Sequence, residues 1–183
     1  MASLLALGGL SAAHAEPDDG TLDTLYRRYR RPISGYLFQL CGSADLAEEL
    51  TQETFVRACA GLAKFRGESA VSTWLFRIAR NAYLQSVRRP ADTRIATDDL
   101  LAIPDNRHHG DPVGQFTARE QRTQIGLALA QLPEKQRSIL LLRDAEDLSY
   151  AEIAAVLEIS LAAVKINLFR ARRHFVQPTP RLT

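Results

Sequence analysis

Apolar residues recur every three or four positions along most of the chain, a spacing that predicts α-helices rather than strands. The pattern is sharpest near the C-terminus, between Leu148 and Phe175. Ser149 is followed three residues later by Glu152, the spacing of a capping box, and Ser160 offers a second helix N-cap. We therefore predict two helices joined by a tight turn, with the second helix beginning after Ser160.

The second of these helices has an apolar side and a basic side. The apolar positions are Leu161, Val164, Leu168 and Ala171, and the outward positions include Lys165, Asn167, Arg170, Arg172 and Arg173. A short helix, a turn and a basic helix are typical of a helix-turn-helix, whose second helix enters the major groove of DNA. A pair of ordinary core helices with a solvated basic face has the same periodicity, so this alternative stays open.

Helical periodicity also fills the N-terminal half, in residues 21–40, 43–62 and 73–89. The second of these predicted helices has an outward polar ridge with Phe55 close beside it. The ridge consists of Glu49, Gln52, Glu53 and Arg57. An aromatic side chain among charges suits a helical protein partner, because interfaces combine apolar contacts with electrostatic steering. A solvated surface is the simpler alternative.

The third predicted helix mixes basic and aromatic residues. Trp74 falls on its apolar stripe and is predicted to lie in the core. The opposite face carries Arg77, Arg80, Asn81, Arg88 and Arg89, with Phe76 and Tyr83 among them. Cations interleaved with aromatic rings suit unstacked single-stranded bases, whose stacking contributes about 1–3 kcal/mol per base. A solvated helix above an aromatic core is again the alternative.

Several stretches lack helical periodicity. Residues 64–72 are predicted to form a Gly-containing loop, and residues 90–117, with three prolines and two glycines, a flexible acidic linker. Residues 1–20 contain an apolar run that ends in Ala-His-Ala, as a signal peptide does, but no Lys or Arg precedes Arg27. We interpret residues 1–20 as a disordered N-terminal extension and residues 177–183 as a frayed tail. An exported helical protein is the alternative.

The charge distribution supports two nucleic-acid-facing modules. The formal net charge is only +2, but residues 21–90 hold 11 basic and 6 acidic side chains, and residues 121–183 hold 9 and 6. Residues 91–120 hold 3 basic and 6 acidic side chains. Two basic blocks therefore flank an acidic connector, which would repel phosphate.

Composition narrows the class of protein further. The 183 residues are 46% hydrophobic, which is typical of a globular chain. Cys41 and Cys59 lack the spacing of metal ligands, and we expect two small buried residues rather than a redox pair. No Walker, Rossmann or zinc motif occurs, and no apolar run is long enough to span a bilayer. We expect no metal, no cofactor, no membrane insertion and no enzymatic activity.

Four motifs in a fixed order resemble the extracytoplasmic-function (ECF) sigma factors of bacterial RNA polymerase, members of the sigma-70 family. They are ADLAEELTQETFVRA, FRGESAVSTWLFRIARN, LPEKQRSILLLRDAEDLSYAEIAAVLEIS and VKINLFRARRHF. The resemblance implies an all-α chain with two small helical domains, sigma-2 at residues 21–89 and sigma-4 at residues 118–176. It also implies a cytoplasmic alternative sigma factor that binds core RNA polymerase and directs promoter recognition, −10 melting and transcription initiation.

The resemblance also implies roles for individual residues. Those expected to bind the β′ clamp helices of core polymerase are Asp45, Glu49, Gln52, Glu53 and Phe55. Those expected around a flipped base and the phosphates of the −10 element are Phe65, Arg66, Ser69, Arg77, Arg80, Asn81 and Arg88. Those expected at the −35 element are Ser160, Lys165, Asn167, Arg170 and Arg173. Further expected partners are promoter DNA, the β flap of the polymerase and an anti-sigma factor.

Two departures from the family pattern affect the helix-turn-helix. The family commonly has Gly where this chain has Glu158, so we expect a strained or reshaped turn. Ile166 and Asn167 replace a common Ser-Arg pair, and Asn pairs with adenine if it reaches a base edge. We therefore expect an altered or weakened −35 preference, with Lys165 and Arg170 retained. A stand-alone helix-turn-helix regulator, with its N-terminal block as a dimerisation or sensing module, remains the rival interpretation.

Overall fold

The computed structural model describes residues 21–88 and 124–176, and within these ranges all regular structure is helical. The helices are α1 (Leu22–Cys41), α2 (Ala44–Leu62), α3 (Val71–Arg88), α4 (residues 124–130), α5 (Glu134–Asp144), α6 (Tyr150–Leu157) and α7 (Leu161–Val176). The predicted all-α class is confirmed. The predicted N-terminal extension, tail and linker lie outside the described residues.

Helices α1, α2 and α3 pack on one another and form the N-terminal domain. Thr21 caps α1 by accepting a hydrogen bond from the Thr24 amide at 3.4 Å, and Ser43 caps α2 through the Leu46 amide at 3.3 Å. Gly42 ends α1 in the left-handed region, at φ 72°, where a residue without a Cβ has no steric cost. Local sequence signals therefore set the bounds of α1 and the start of α2.

Helices α5, α6 and α7 form the C-terminal domain, in which α6 and α7 are the predicted helix-turn-helix. The capping box is present: the Ser149 amide donates to Glu152 Oε2 at 2.8 Å, and the Glu152 amide donates to Ser149 Oγ at 3.3 Å. Ser160 accepts from the Ala163 amide at 3.2 Å at the start of α7. Both predicted caps of the helix-turn-helix are confirmed.

The turn between α6 and α7 is strained at one residue. Glu158 adopts φ 55° and ψ 47°, the left-handed conformation that favours glycine. For an L-residue with a Cβ, this conformation costs about 1–2 kcal/mol of steric energy. The strained turn expected from the sequence is therefore present.

The two domains contact each other, so the core is continuous between them. Helix α1 packs against α5, and α3 packs against α6. The helix predicted to face the −10 element thus lies against the domain that carries the helix-turn-helix.

Several expectations about burial are wrong, including the outward position predicted for Phe76, which is only 2% exposed. Cys59 is exposed, whereas Cys41 is only partly buried and packs against the core. Phe55 is only 6% exposed and lies edge-on to Tyr26, with 4.9 Å between the ring centroids. Phe55 is four residues after buried Thr51 and three before buried Ala58, which places it on the inner side of α2.

Candidate polymerase and nucleic-acid interfaces

The outer side of α2 is a polar surface, as predicted. Asp45, Glu49 and Gln52 are exposed and lie three or four residues apart along one helical face. Glu53 is half-buried, since Arg57 Nη2 donates to Glu53 Oε1 at 2.6 Å. The same guanidinium group donates to Gln85 Oε1 at 2.6 Å, which ties α2 to α3.

Sequence reasoning missed the apolar member of this surface. Val56 is 69% exposed and follows Gln52 by four residues and Glu53 by three. Phe55 supports this face from the interior instead of standing on it. The sequence gives little sign of this arrangement, because a single β-branched residue beside an aromatic one has no distinct periodic signal.

Phe65, in the loop between α2 and α3, packs against Trp74 of α3. Phe65 is partly exposed. Its ring centroid lies 4.9 Å from that of Trp74, and the planes of the two rings are inclined to each other by 35°. Trp74 is buried, as predicted, and its ring packs on Gly61, where an added Cβ would lie 3.1 Å from Trp74 Cζ2. The Phe65 ring therefore rests on a fixed support. Arg66 is exposed and Ser69 is half-buried in the same loop.

Most of the polar residues predicted on α3 are accessible to solvent, and Arg89 lies outside the described residues. Arg77 and Asn81 are half-buried, and Arg88 is exposed in the last turn. Arg80 differs, because it is only 8% exposed. Its Nε and Nη2 atoms donate to the two carboxylate oxygens of Glu134 on α5, each at 3.1 Å. In this arrangement Arg80 is unavailable to a phosphate, contrary to the expected exposed position.

Glu134 is also the end of a hydrogen-bonded chain between the domains. Ser138 Oγ donates to Glu134 Oε1 at 3.0 Å, and the buried Tyr36 hydroxyl lies 2.9 Å from Ser138 Oγ. Because Ser138 donates to the carboxylate, Tyr36 donates to Ser138. Burial raises the pKa of Tyr36, so the group stays protonated as this chain requires. Arg137 Nη1 adds a hydrogen bond to the Leu40 carbonyl at 2.9 Å.

The outward side of α7 carries the predicted cations. Lys165, Arg170 and Arg173 are exposed, and Ser160 is exposed at the N-cap.

Two other polar side chains of α7 are engaged within the protein. Arg172 is held by Asp144 of α5, with Nη2 2.6 Å from Oδ1. Asn167 is half-buried, and its Nδ2 donates to the Ala163 carbonyl of its own helix at 2.8 Å. One N–H donor of the Asn167 amide is therefore already engaged by the backbone.

Two findings restrict the chemistry of the described ranges. No cluster of His, Cys, Asp and Glu in residues 21–88 and 124–176 could hold a metal ion. Among the helices of the same ranges, none has the length and apolar character needed to cross a bilayer.

Comparison with known proteins decides the family. The family model for Sigma-70 region 2 matches residues 25–93, and the model for Sigma-70, region 4 matches residues 122–175. The chain is 35% identical to RNA polymerase sigma factor YlaC of Bacillus subtilis, over 83% of this chain and 88% of that protein. This chain belongs to the ECF sigma factors of the sigma-70 family.

Further relatives agree with this assignment. The sigma factor is 33% identical to ECF RNA polymerase sigma factor SigM of Bacillus subtilis, over 84% of this chain and 91% of that protein. Its fold is similar to that of RpoE from Bartonella quintana, solved in complex with the anti-sigma factor NepR, with a TM-score of 0.67 and 23% identity. That match covers 83% of this chain and 92% of RpoE. A sigma factor is a specificity subunit and has no catalytic activity of its own.

Proposed function

We propose that this sigma factor docks on core RNA polymerase through α2, opens the −10 element with the α2–α3 loop and α3, and recognises the −35 element with α7. The observation that supports this most directly is the surface of α7. It exposes Lys165, Arg170 and Arg173 and contains no carboxylate. Cations spaced along a capped second helix suit the phosphates that line a major groove.

The α2–α3 loop provides the chemistry to trap an unstacked base. Extracting a base from the duplex costs a few kcal/mol, and stacking on an aromatic ring recovers about 1–3 kcal/mol. Phe65, supported by Trp74, is the stacking surface. The polar groups assigned to the base and its phosphates are Arg66, Ser69, Arg77, Asn81 and Arg88.

The contact between the domains must open before both promoter elements are bound. The −10 and −35 elements are about 25 base pairs apart, or about 85 Å at the rise of B-DNA. Helix α7 packs on α5, which touches α3 through Arg80 and Glu134. Packed helices lie about 8–10 Å apart, so α7 is only about two helix widths from α3. Opening separates the pair and frees Arg80 for a phosphate.

The outer surface of α2 is the proposed contact with the β′ clamp helices. Its accessible polar residues, Asp45, Glu49, Gln52 and Glu53, lie along one side of the helix on the N-terminal side of exposed Val56. Protein interfaces combine exposed apolar side chains with accessible polar ones, and this surface offers both. Phe55 holds α2 against α1 through Tyr26 and acts by positioning this surface.

The remaining partners follow from the proposed role. The C-terminal domain rests on the β flap when α7 lies on the −35 element. An anti-sigma factor is the proposed regulator, in line with the solved complex of RpoE with NepR. The proposed location is the cytoplasm, where promoter DNA and core polymerase are found.

A gel-shift titration on promoter DNA tests the proposal. We expect a shifted complex when core polymerase and this chain are both present, and none with the chain alone. Lys165→Ala weakens that complex for all sequences and lowers the salt slope by about 1, as expected for one phosphate contact. Lys135→Ala on α5 is the matched control and is expected to leave the affinity of the complex and its salt slope unchanged. A specific shift by the chain alone would instead indicate a stand-alone regulator.

A further inference from the structure

Two large apolar side chains lie at the centre of the outward face of α7. Ile166 is 52% exposed and Phe169 is 67% exposed. They are three residues apart and therefore adjacent on the helix surface. The opposite side of α7 is buried at Val164, Leu168 and Ala171. The apolar patch, Ile166 and Phe169, is thus no part of the hydrophobic core.

Positive charge surrounds the apolar patch. Arg170 follows Ile166 by four residues, Arg173 follows Phe169 by four, and Lys165 lies beside Ile166. All three cations are exposed, and α7 has no acidic side chain to balance them. A polyanion complements this rim of charge, and on duplex DNA the phosphates border a groove in which base edges are exposed.

The base edge that suits an apolar side chain in the major groove is thymine. Thymine alone among the four bases presents a C5-methyl group there, and apolar side chains including Phe contact it. We infer that Ile166 and Phe169 recognise thymine methyl groups in the upstream promoter element, an inference that rests on the proposed binding of α7 to that element. The patch is then a specificity-determining surface of the recognition helix.

The spacing of the two side chains fits neighbouring base pairs. Three residues advance an α-helix by about 4.5 Å. Successive base pairs are separated by about 3.4 Å along the duplex. The pair therefore reaches at most about one base-pair step along the duplex, which predicts two thymines on adjacent base pairs, on the same strand or on opposite strands.

The hydrogen bonding of α7 also shifts specificity toward the apolar patch. Asn167 would be the amide that pairs with adenine, but its Nδ2 donates one hydrogen bond to the Ala163 carbonyl at 2.8 Å. Arg172 is held by Asp144 at 2.6 Å. Of the polar side chains in the middle of α7, Lys165 and Arg170 remain for phosphates or guanine. Methyl contacts are the sequence-specific interaction that the apolar patch can make.

Replacing thymine by deoxyuridine tests the inference, since uracil pairs with adenine as thymine does and lacks only the C5-methyl group. Promoter duplexes are first selected from a library with a randomised upstream element, using core polymerase loaded with this chain. Each thymine of the selected element is then replaced singly by deoxyuridine. We expect about fourfold weaker binding at each of two adjacent base pairs, the effect of exposing one buried methyl group.

The variants Ile166→Ala and Phe169→Ala connect that loss to the patch. Each is expected to bind thymine and deoxyuridine equally at one of the two positions while keeping the salt dependence of the wild-type complex. Both side chains are more than half exposed, so truncation leaves no core cavity. Leu127→Ala, which truncates an exposed leucine on α4, is the matched control and retains the full preference for thymine.

Three results would overturn the inference, and they differ in what they say about the proposed function. If scrambling the upstream element weakens binding but no deoxyuridine substitution does, α7 recognises the element without the methyl groups. If the variants keep the wild-type preference for thymine, another surface makes the methyl contact and the apolar patch does not read thymine. If scrambling the element has no effect, both the inference and the proposed −35 recognition fail.

Discussion

Glu158 shows that the turn of the helix-turn-helix accommodates a residue in an unfavourable backbone conformation. It lies at φ 55° between α6 and α7, where a Cβ is sterically disfavoured. Glu158→Gly is expected to raise the free energy of unfolding by about 1 kcal/mol, after the larger unfolded-state entropy of glycine is subtracted. Urea titration measures the change.

Glu158→Ala separates conformation from charge in that experiment. It removes the carboxylate but keeps the Cβ, so its stability should stay close to that of the wild type. Equal stabilisation by Ala and Gly would show that charge, and not backbone strain, limits the stability of the turn.

Glu146 should make stability depend on pH. Burial raises the pKa of its carboxyl group from 4.5 to about 7, because the ionised form is poorly hydrated in the folded state. Between these values the folded state binds more protons than the unfolded state, so stability falls as pH rises. At about 1.36 kcal/mol per pH unit, the contribution lost between pH 4.5 and 7 is on the order of 3 kcal/mol.

The variant Glu146→Gln should lack this contribution. Its unfolding free energy relative to the wild type is expected to increase from pH 4.5 to about pH 7 and to stay constant above that. Thermal denaturation over this pH range measures the difference. Asp23→Asn, on the surface of α1, is the control. Parallel pH profiles for the wild type and Glu146→Gln would contradict the assignment.

At the residue scale, the sequence predicts burial only where the apolar pattern is strong. Trp74 lies on a well-marked apolar stripe, and its predicted burial is confirmed. The burial of Phe55 is not predictable in this way, since α2 is rich in alanine and its inner face is poorly marked. The hydrogen bond from Asn167 to the Ala163 carbonyl is not predictable either, because the sequence does not show whether a side-chain amide faces DNA or its own helix.

At the scale of helices, the caps are the most predictable features. Ser149 and Ser160 are predicted as caps from the sequence, and both accept a backbone hydrogen bond. Thr21 and Ser43 cap α1 and α2 in the same way. Capping depends on residues three positions apart, so the whole interaction is visible in a short segment. The bond between Arg57 and Gln85 joins two helices across 28 residues, and no local signal predicts it.

The capping box of α6 should have a measurable effect on stability. Ser149→Ala removes the acceptor for the Glu152 amide and is expected to cost about 1 kcal/mol of unfolding free energy. Ser149→Thr keeps a hydroxyl acceptor and should lose only a small part of this unfolding free energy. Chemical denaturation followed by circular dichroism compares the two, and equal losses would argue against a capping contribution.

At the scale of the whole molecule, the all-α class is predictable and the contact between the domains is not. Helical periodicity is local, and it occurs on both sides of the predicted linker. The contact depends on pairs such as Tyr36 with Ser138 and Arg80 with Glu134, which are 102 and 54 residues apart. A periodic pattern contains no information about contacts between distant residues, which is why the sequence predicts an exposed position for Arg80.

Removing one partner of the ion pair should open the contact. Glu134→Gln leaves the buried Arg80 guanidinium without its counter-charge, a change that costs about 3–5 kcal/mol when the group stays buried. Domain separation hydrates Arg80 instead, so we expect a larger radius of gyration by small-angle X-ray scattering. Asp23→Asn is the control, because it changes the net charge equally at an exposed site. Identical scattering from all three proteins would contradict a closing role for Glu134.

Run-off transcription tests the central claim most directly, that this chain directs core RNA polymerase to promoters. Genomic DNA fragments are transcribed by purified core polymerase with and without the protein. We expect new transcript starts that share sequence elements near −10 and −35, and a loss of those starts when Lys165 and Arg170 are replaced by alanine. If core polymerase neither binds the protein nor gains new starts, the account of its function is wrong.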